Sequence, residues 1–243
     1  MFRNLFFAAL VAALCAGLVT SAVQYFRVTP LIFAAEAYES EGVQNHGNAA
    51  ANHEHAESMP AHNHGENEWM PQDGFERTAY TVLANILMAA GYALIIGAVS
   101  VLFNLPITWS SGLLWAVGGF AAFSLAPAFG LAPGLPGMPV ADTLARQLWW
   151  AGTALATGGA LLLTAKFRAP WALALAIALA ILPHLIGAPQ APDEATGVPA
   201  SLAASFASAV LFNAAVFWIV LGVTFGRMND YLAVRNQPAG AFT

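Results

Sequence analysis

Asp, Glu, Lys and Arg are missing from five long stretches of this chain: Asn4–Phe26, Thr78–Ala141, Gln147–Ala165, Ala169–Pro192 and Ala195–Gly226. A helix needs about 20 largely apolar residues to cross a hydrocarbon layer about 30 Å thick. A soluble domain carries about 25% charged residues, whereas this chain carries 9%, with 58% hydrophobic residues. Lipid must therefore solvate much of its surface. The second stretch is too long for one span and breaks at Asn104-Leu105-Pro106-Ile107-Thr108-Trp109-Ser110-Ser111-Gly112, a polar, helix-breaking run. The expected fold is all-α: one integral membrane bundle of about six transmembrane helices over residues 1–243, with spans near 4–26, 80–103, 112–130, 145–165, 170–187 and 200–225.

The basic residues orient the bundle, because Lys and Arg are retained on the cytoplasmic side. With both termini cytoplasmic, Arg3, Lys166, Arg168, Arg227 and Arg235 lie inside, and Arg27, Arg77 and Arg146 lie outside close to a span. Twelve of the thirteen acids then fall outside, Asp230 excepted. The expected location is the bacterial inner membrane, multi-pass, with the loop at 28–77 in the periplasm. The first apolar run exceeds the 7–15 residues of a signal-peptide core, so it is expected to persist as a helix. Cys15 is the one cysteine and reads as a packing residue. Basic residues are scattered and net charge is −5, which leaves no footprint for nucleic acid.

The loop at 28–77 is the one sizeable polar segment. Its first part, Thr29 to Glu39, is amphipathic and is expected to lie on the membrane surface. The low-complexity part, 41–68, has too little apolar area to offset ordering entropy without a ligand. It holds five of the six histidines: His46, His53, His55, His62 and His64. Two H-x-H pairs, His53-Glu54-His55 and His62-Asn63-His64, can close around one ion, since neutral imidazole is a common ligand for Zn, Cu, Ni and Co. Glu54, Glu57 and Glu66 add attraction for cations. The fixed spacing of a structural zinc site is missing, so the segment reads as a collecting antenna. Its spacing selects no particular metal.

Ionisable groups inside a bilayer are functional suspects, and here the one candidate is His184, in Leu182-Pro183-His184-Leu185-Ile186-Gly187-Ala188-Pro189. Pro183 removes a backbone hydrogen bond and frees a carbonyl about one turn earlier. A histidine beside a broken helix can line a polar cavity. The third helix ends similarly, at Pro127 and Ala132-Pro133, which points to a repeat of two hairpins, helices 2–3 and 4–5. Asn85 and Asn213 are expected to bond between helices, and the dense Gly and Ala to permit close packing. Trp69, Tyr80, Trp149 and Trp150 read as outer interfacial anchors, and Trp109 and Trp171 as inner ones.

Phe2-Arg3-Asn4-Leu5, Pro30-Leu31-Ile32 to Glu36-Ala37-Tyr38-Glu39, Trp69 to Thr78, Leu135-Pro136-Gly137, Arg146 to Trp150 and Leu182-Pro183-His184 to Pro189, taken in order, resemble the CbtA family over nearly the whole chain. That resemblance implies a cobalt transporter subunit linked to cobalamin biosynthesis. It also implies a partner, CbtB, a small histidine-rich membrane protein. The ion is implied by the resemblance, not by residue spacing.

The expected function is capture of Co²⁺ by the histidine segment and its passage into the bundle. His184 is the expected first intramembrane contact, with Glu36 and Glu39 at the mouth. No cofactor is expected, the metal being cargo. No G-x-x-x-x-G-K-[ST] occurs, so energy must come from a gradient or another subunit. The rival readings are a metal-binding sensor or accessory protein that moves no ion and, lower, a membrane enzyme, for which converging acids or histidines within the bilayer are missing.

Overall fold

In a computed structural model, which describes residues 2–38, 71–72 and 74–235, the chain is all-helical among the described residues. Six long helices follow one another: α1 Arg3–Tyr38, α2 Phe75–Phe103, α3 Trp109–Gly130, α4 Thr143–Lys166, α5 Pro170–Ile186 and α6 Ala200–Arg235. The first four and α6 are long and apolar enough to cross a membrane. The fifth has 17 residues, about 25 Å at 1.5 Å per residue, and falls short of the other five. Gly187, at φ 88°, ends it in a backbone region that favours glycine. Leu87, Leu114, Leu155 and Leu185 are 63%, 74%, 77% and 78% exposed on four different helices. Soluble monomers rarely expose contiguous apolar surface on that scale, so the chain is a membrane protein whose outer faces meet lipid or partner helices.

The helices alternate in direction. One end gathers Tyr38, Phe75, Gly130, Thr143, Ile186 and Ala200, and is here the loop end, because the histidine-bearing segment leaves and returns there. At the opposite end, Asn4 Nδ2 donates to Leu232 O at 3.2 Å and Lys166 Nζ to Phe103 O at 3.1 Å. The packing order is α2–α1–α6–α3–α4–α5, with α5 held by α4. This differs from the expected hairpin repeat. The α4–α5 hairpin forms, but α2 packs on α1 and α3 packs on α6. Asn104, left-handed at φ 53°, and Pro106 turn the chain away from α2. A Thr108–Ser111 capping box then starts α3, satisfying two otherwise orphaned backbone groups.

Glycines set the α3–α6 contact. A methyl group built on Gly112 would stand 2.5 Å from Gly222 O, and one on Gly226 would stand 2.7 Å from Thr108 C. Gly222-x-x-x-Gly226 is the small-xxx-small pattern that lets membrane helices approach closely. Beside it, Trp218 lies over Gly119, stacks on Phe123 at 5.7 Å and donates from Nε1 to Ser124 Oγ at 3.1 Å. Ser124 lies in a π-helical segment, Ala121–Leu125. Polar contacts extend the seam: Asp230 Oδ2 accepts from Trp109 N at 2.7 Å, and Asn229 Nδ2 donates to Ile107 O at 2.8 Å. Asp230→Ala should remove one charge-assisted cap. The expected cost is about 1 kcal/mol, read as several-fold faster hydrogen exchange at the first amides of α3.

The first helix runs past residue 26, through a π-helical turn at Gln24–Val28, to Tyr38. The segment expected to lie along the membrane surface is thus a helical continuation. Its apolar side is the cause: Val28 and Ala35 are buried with Leu135, Val198 and Phe206, and Leu31 and Ile32 pack on the same cluster. At 36 residues, about 54 Å, α1 exceeds the hydrocarbon thickness, and so does α6. The end of α1 and the start of α6 meet at the loop end over the α3–α4 connection.

Candidate functional site

Two features at the loop end carry polar chemistry. The first joins the end of α3, the start of α4 and the end of α5. The Trp149 indole lies over Gly130, where a methyl would stand 2.7 Å from ring carbon Cζ2 and 3.0 Å from the Ala188 methyl. His184 is partly buried and meets Phe129 edge-on at 5.7 Å and Trp149 at 5.9 Å between centroids. Pro183 is buried inside α5, and Gly187 N donates to Pro183 O at 3.0 Å. The proline-broken ends of α3 and α5 therefore do meet, bridged by Trp149. Their junction is aromatic. Trp149 Nε1 is buried with no hydrogen-bond partner among the described residues, and a buried N–H normally finds one. One imidazole and one unsatisfied N–H suit a transient contact with water or a passing ligand, not a closed coordination sphere.

The second feature lies between α1 and α2. Glu36 Oε1 accepts from Arg77 Nη2 at 3.0 Å, and the guanidinium lies 5.1 Å over the Phe33 ring. Both side chains are over a third exposed, so solvent screens the pair and it adds little to stability. Its effect is geometric: it ties together the two stretches of chain between which the histidine segment runs. Below it opens a groove of about 780 Å³, lined by residues that include Ser21, Gln24, Phe33, Arg77, Thr78 and Thr81. Beside it, Asn85 Nδ2 donates to the lining residues Ser21, at Oγ and 3.0 Å, and Gln24, at Oε1 and 2.8 Å. Asn85 thus makes the expected interhelical bonds. The expected interhelical bond is not seen at Asn213, whose Oδ1 is buried without a partner among the described residues.

Of the sequence-predicted site residues, Glu36 and His184 are placed, at these two separate features. His46, His53, His55, His62, His64 and Glu39 lie outside the described residues. Among the described residues no three His, Cys, Asp or Glu side chains come together as a metal cluster. The groove was missed by sequence reasoning. Ser21, Thr78 and Thr81 sit at charge-free positions or beside one, and only their spacing along two facing helices marks them.

No curated protein and no solved structure matches the chain. A family model described as "Probable cobalt transporter subunit (CbtA)" matches residues 2–230. That span takes in all six helices except the last turns of α6, together with the whole histidine-bearing segment, so the chain belongs to the CbtA family.

Proposed function

We propose that this chain is the membrane subunit of a divalent-cation uptake system whose cargo is Co²⁺. The observation that carries the reading is the family match over residues 2–230, joined to a bundle with five helices able to cross a membrane. The positive-inside bias puts the loop end in the periplasm of the bacterial inner membrane and both termini in the cytoplasm. There, His46, His53, His55, His62 and His64 collect the ion, with Glu39 adding negative charge. Glu36 holds Arg77 at the mouth. His184 offers a nitrogen contact where α3, α4 and α5 meet. A small CbtB-type membrane protein is the partner, and cobalamin biosynthesis is the use of the metal. The chemistry is transfer without covalent change, so the subunit is not an enzyme and needs no resident cofactor.

A second reading, a sensor or accessory protein that binds metal without moving it, draws on the aromatic packing around His184, which offers a passing ion only one nitrogen. Purified protein reconstituted in vesicles separates the two. Ion flux should appear with Co²⁺, with and without the partner, and Ni²⁺, Zn²⁺ and Cu²⁺ should be carried less well. Metal binding with no flux under any of these conditions favours the accessory reading and sinks the transporter.

A further inference from the structure

Several hydroxyls in this bundle are satisfied one turn back along their own helix. Ser21 Oγ donates to Gly17 O at 2.7 Å, and Thr81, Ser205 and Ser208 donate to the carbonyls of Arg77, Ser201 and Ala204 at 2.8 Å. Two on α4 are not. Thr153 Oγ1 and Thr157 Oγ1 are buried without a partner among the described residues, and so is Trp149 Nε1. Positions 149, 153 and 157 are spaced i, i+4, i+8, so they form one stripe along the helix. Thr153 is 0% exposed. From Trp149 the stripe runs away from the loop end for eight residues, about 12 Å at 1.5 Å per residue. No Asp, Glu, Lys or Arg occurs between 147 and 165, so α4 itself brings no charge to it. Away from solvent an unmade hydrogen bond is costly, and three on one face of one helix call for a common partner.

The packing around α4 leaves room for one. At the α3–α6 seam a methyl built on Gly112, Gly119, Gly222 or Gly226 would collide with the facing helix. Across the α3–α4 contact the same addition reaches only ordinary contact distance: on Gly158, next to Thr157, it would stand 3.9 Å from Ala122 Cβ, and on Gly118 3.8 Å from Leu161 Cδ1. Ala122 belongs to the π-helical segment Ala121–Leu125, which packs against α4, and such segments are frequent at functional sites. The partner must accept from an indole N–H and complete two hydroxyls that can both donate and accept. The N–H repels a bare cation, and an acyl chain offers no hydrogen bond. Water meets all three demands. Thr153 and Thr157 are about 6 Å apart along the axis, a gap that one water spans with two bonds of about 2.8 Å. At its loop end the stripe reaches His184, whose ring lies 5.9 Å from that of Trp149.

We propose that Trp149, Thr153 and Thr157 line a narrow, water-filled cleft along α4, leading inward from His184 and forming the first half of the cation's passage. The cargo rests on the cation-uptake reading, but the cleft is tested apart from it. The probe is Ag⁺, a small cation that bonds to a thiolate where water can bring it. The full chain in membrane vesicles carries Cys15→Ser and one introduced cysteine. After exposure to Ag⁺ the protein is denatured, and the thiols still free are counted with a maleimide. Thr153→Cys and Thr157→Cys should react at least tenfold faster than two controls: Ala154→Cys, buried but off the stripe, and Leu155→Cys, 77% exposed on the outer surface of the helix. A rate at Thr153→Cys or Thr157→Cys no higher than at the controls overturns the cleft. Thr153→Val gives a second reading that needs no thiol. With water on the hydroxyl, the unfolding midpoint should hold or fall. A rise means that the hydroxyl was dry, since burying it unbonded is then a cost removed, and it also overturns the cleft. Co²⁺ flux is read separately: no flux in wild type beside fast Ag⁺ reaction overturns the uptake reading and leaves the cleft standing, whereas flux beside slow reaction does the reverse.

Discussion

Gly226→Leu should prevent a folded bundle from forming, with Gly222→Leu close behind. Between membrane helices there is no hydrophobic drive toward association, since lipid is as apolar as the partner helix. The α3–α6 seam therefore depends on dispersion contacts at short range and on its polar bonds. At Gly226 an added methyl meets the backbone of Thr108 and Trp109, the latter 3.2 Å away at its nitrogen, and at Gly222 it meets Ala116 N and Cβ at 2.9 Å. Backbone cannot swing aside as a flexible side chain would. To admit the larger residue the helices must separate, which also opens the Trp109–Asp230 and Asn229–Ile107 hydrogen bonds and lifts Trp218 from Gly119. Overpacking alone costs about 1–3 kcal/mol, and each lost hydrogen bond adds roughly 1 kcal/mol. The sum, about 3–5 kcal/mol, reaches the lower end of a whole domain's stability, about 5–15 kcal/mol. The check is the monodisperse fraction after mild extraction, with the unfolding midpoint in a denaturing detergent. Gly152→Leu is the matched control, because nothing lies within 4 Å of its added methyl. Equal behaviour of Gly226→Leu and Gly152→Leu would show that α3 and α6 do not meet in this way.

The class of fold was legible because lipid imposes it: charge-free stretches have no other use at this length. Helix ends were legible where a breaker stands, as at Asn104–Pro106 and Gly187. The length of α1 was not, because its continuation to Tyr38 depends on Leu135, Val198 and Phe206, which are distant in sequence. Neighbour relations were hidden for a similar reason. Nothing local to Gly112 says that its partner is Gly222, so the repeat read from Pro127 and Pro183 mispaired α2 with α3. At the site, His184 stood out because an ionisable group is rare in a span. The groove did not, since Ser21 and Thr81 look like ordinary small residues until two helices set them facing each other.

Replacing His46, His53, His55, His62 and His64 together with Gln should lower Co²⁺ uptake about tenfold when the metal is scarce and leave the maximal rate nearly unchanged. The reason is a division of labour. On the proposed reading, the histidine segment, which joins Tyr38 to Gly74 beside the Glu36–Arg77 pair, would raise the ion's concentration at one mouth of the bundle. Gains of that kind come from effective concentration and fade once bulk metal saturates the next site. A tenfold change corresponds to about 1.4 kcal/mol, modest for the loss of several imidazole ligands. His184→Ala should behave in the opposite way. It sits against Phe129 and Trp149 within the bundle, where a contact made in transit alters the rate of passage, so the maximal rate should fall several-fold with little shift in the concentration giving half of it. Uptake measured across a range of Co²⁺ concentrations, normalised to protein in the membrane, resolves the two effects. A histidine-free segment that lowers the maximal rate instead would make the loop part of the passage itself. Unchanged curves for both variants would remove all six histidines from the path of the ion.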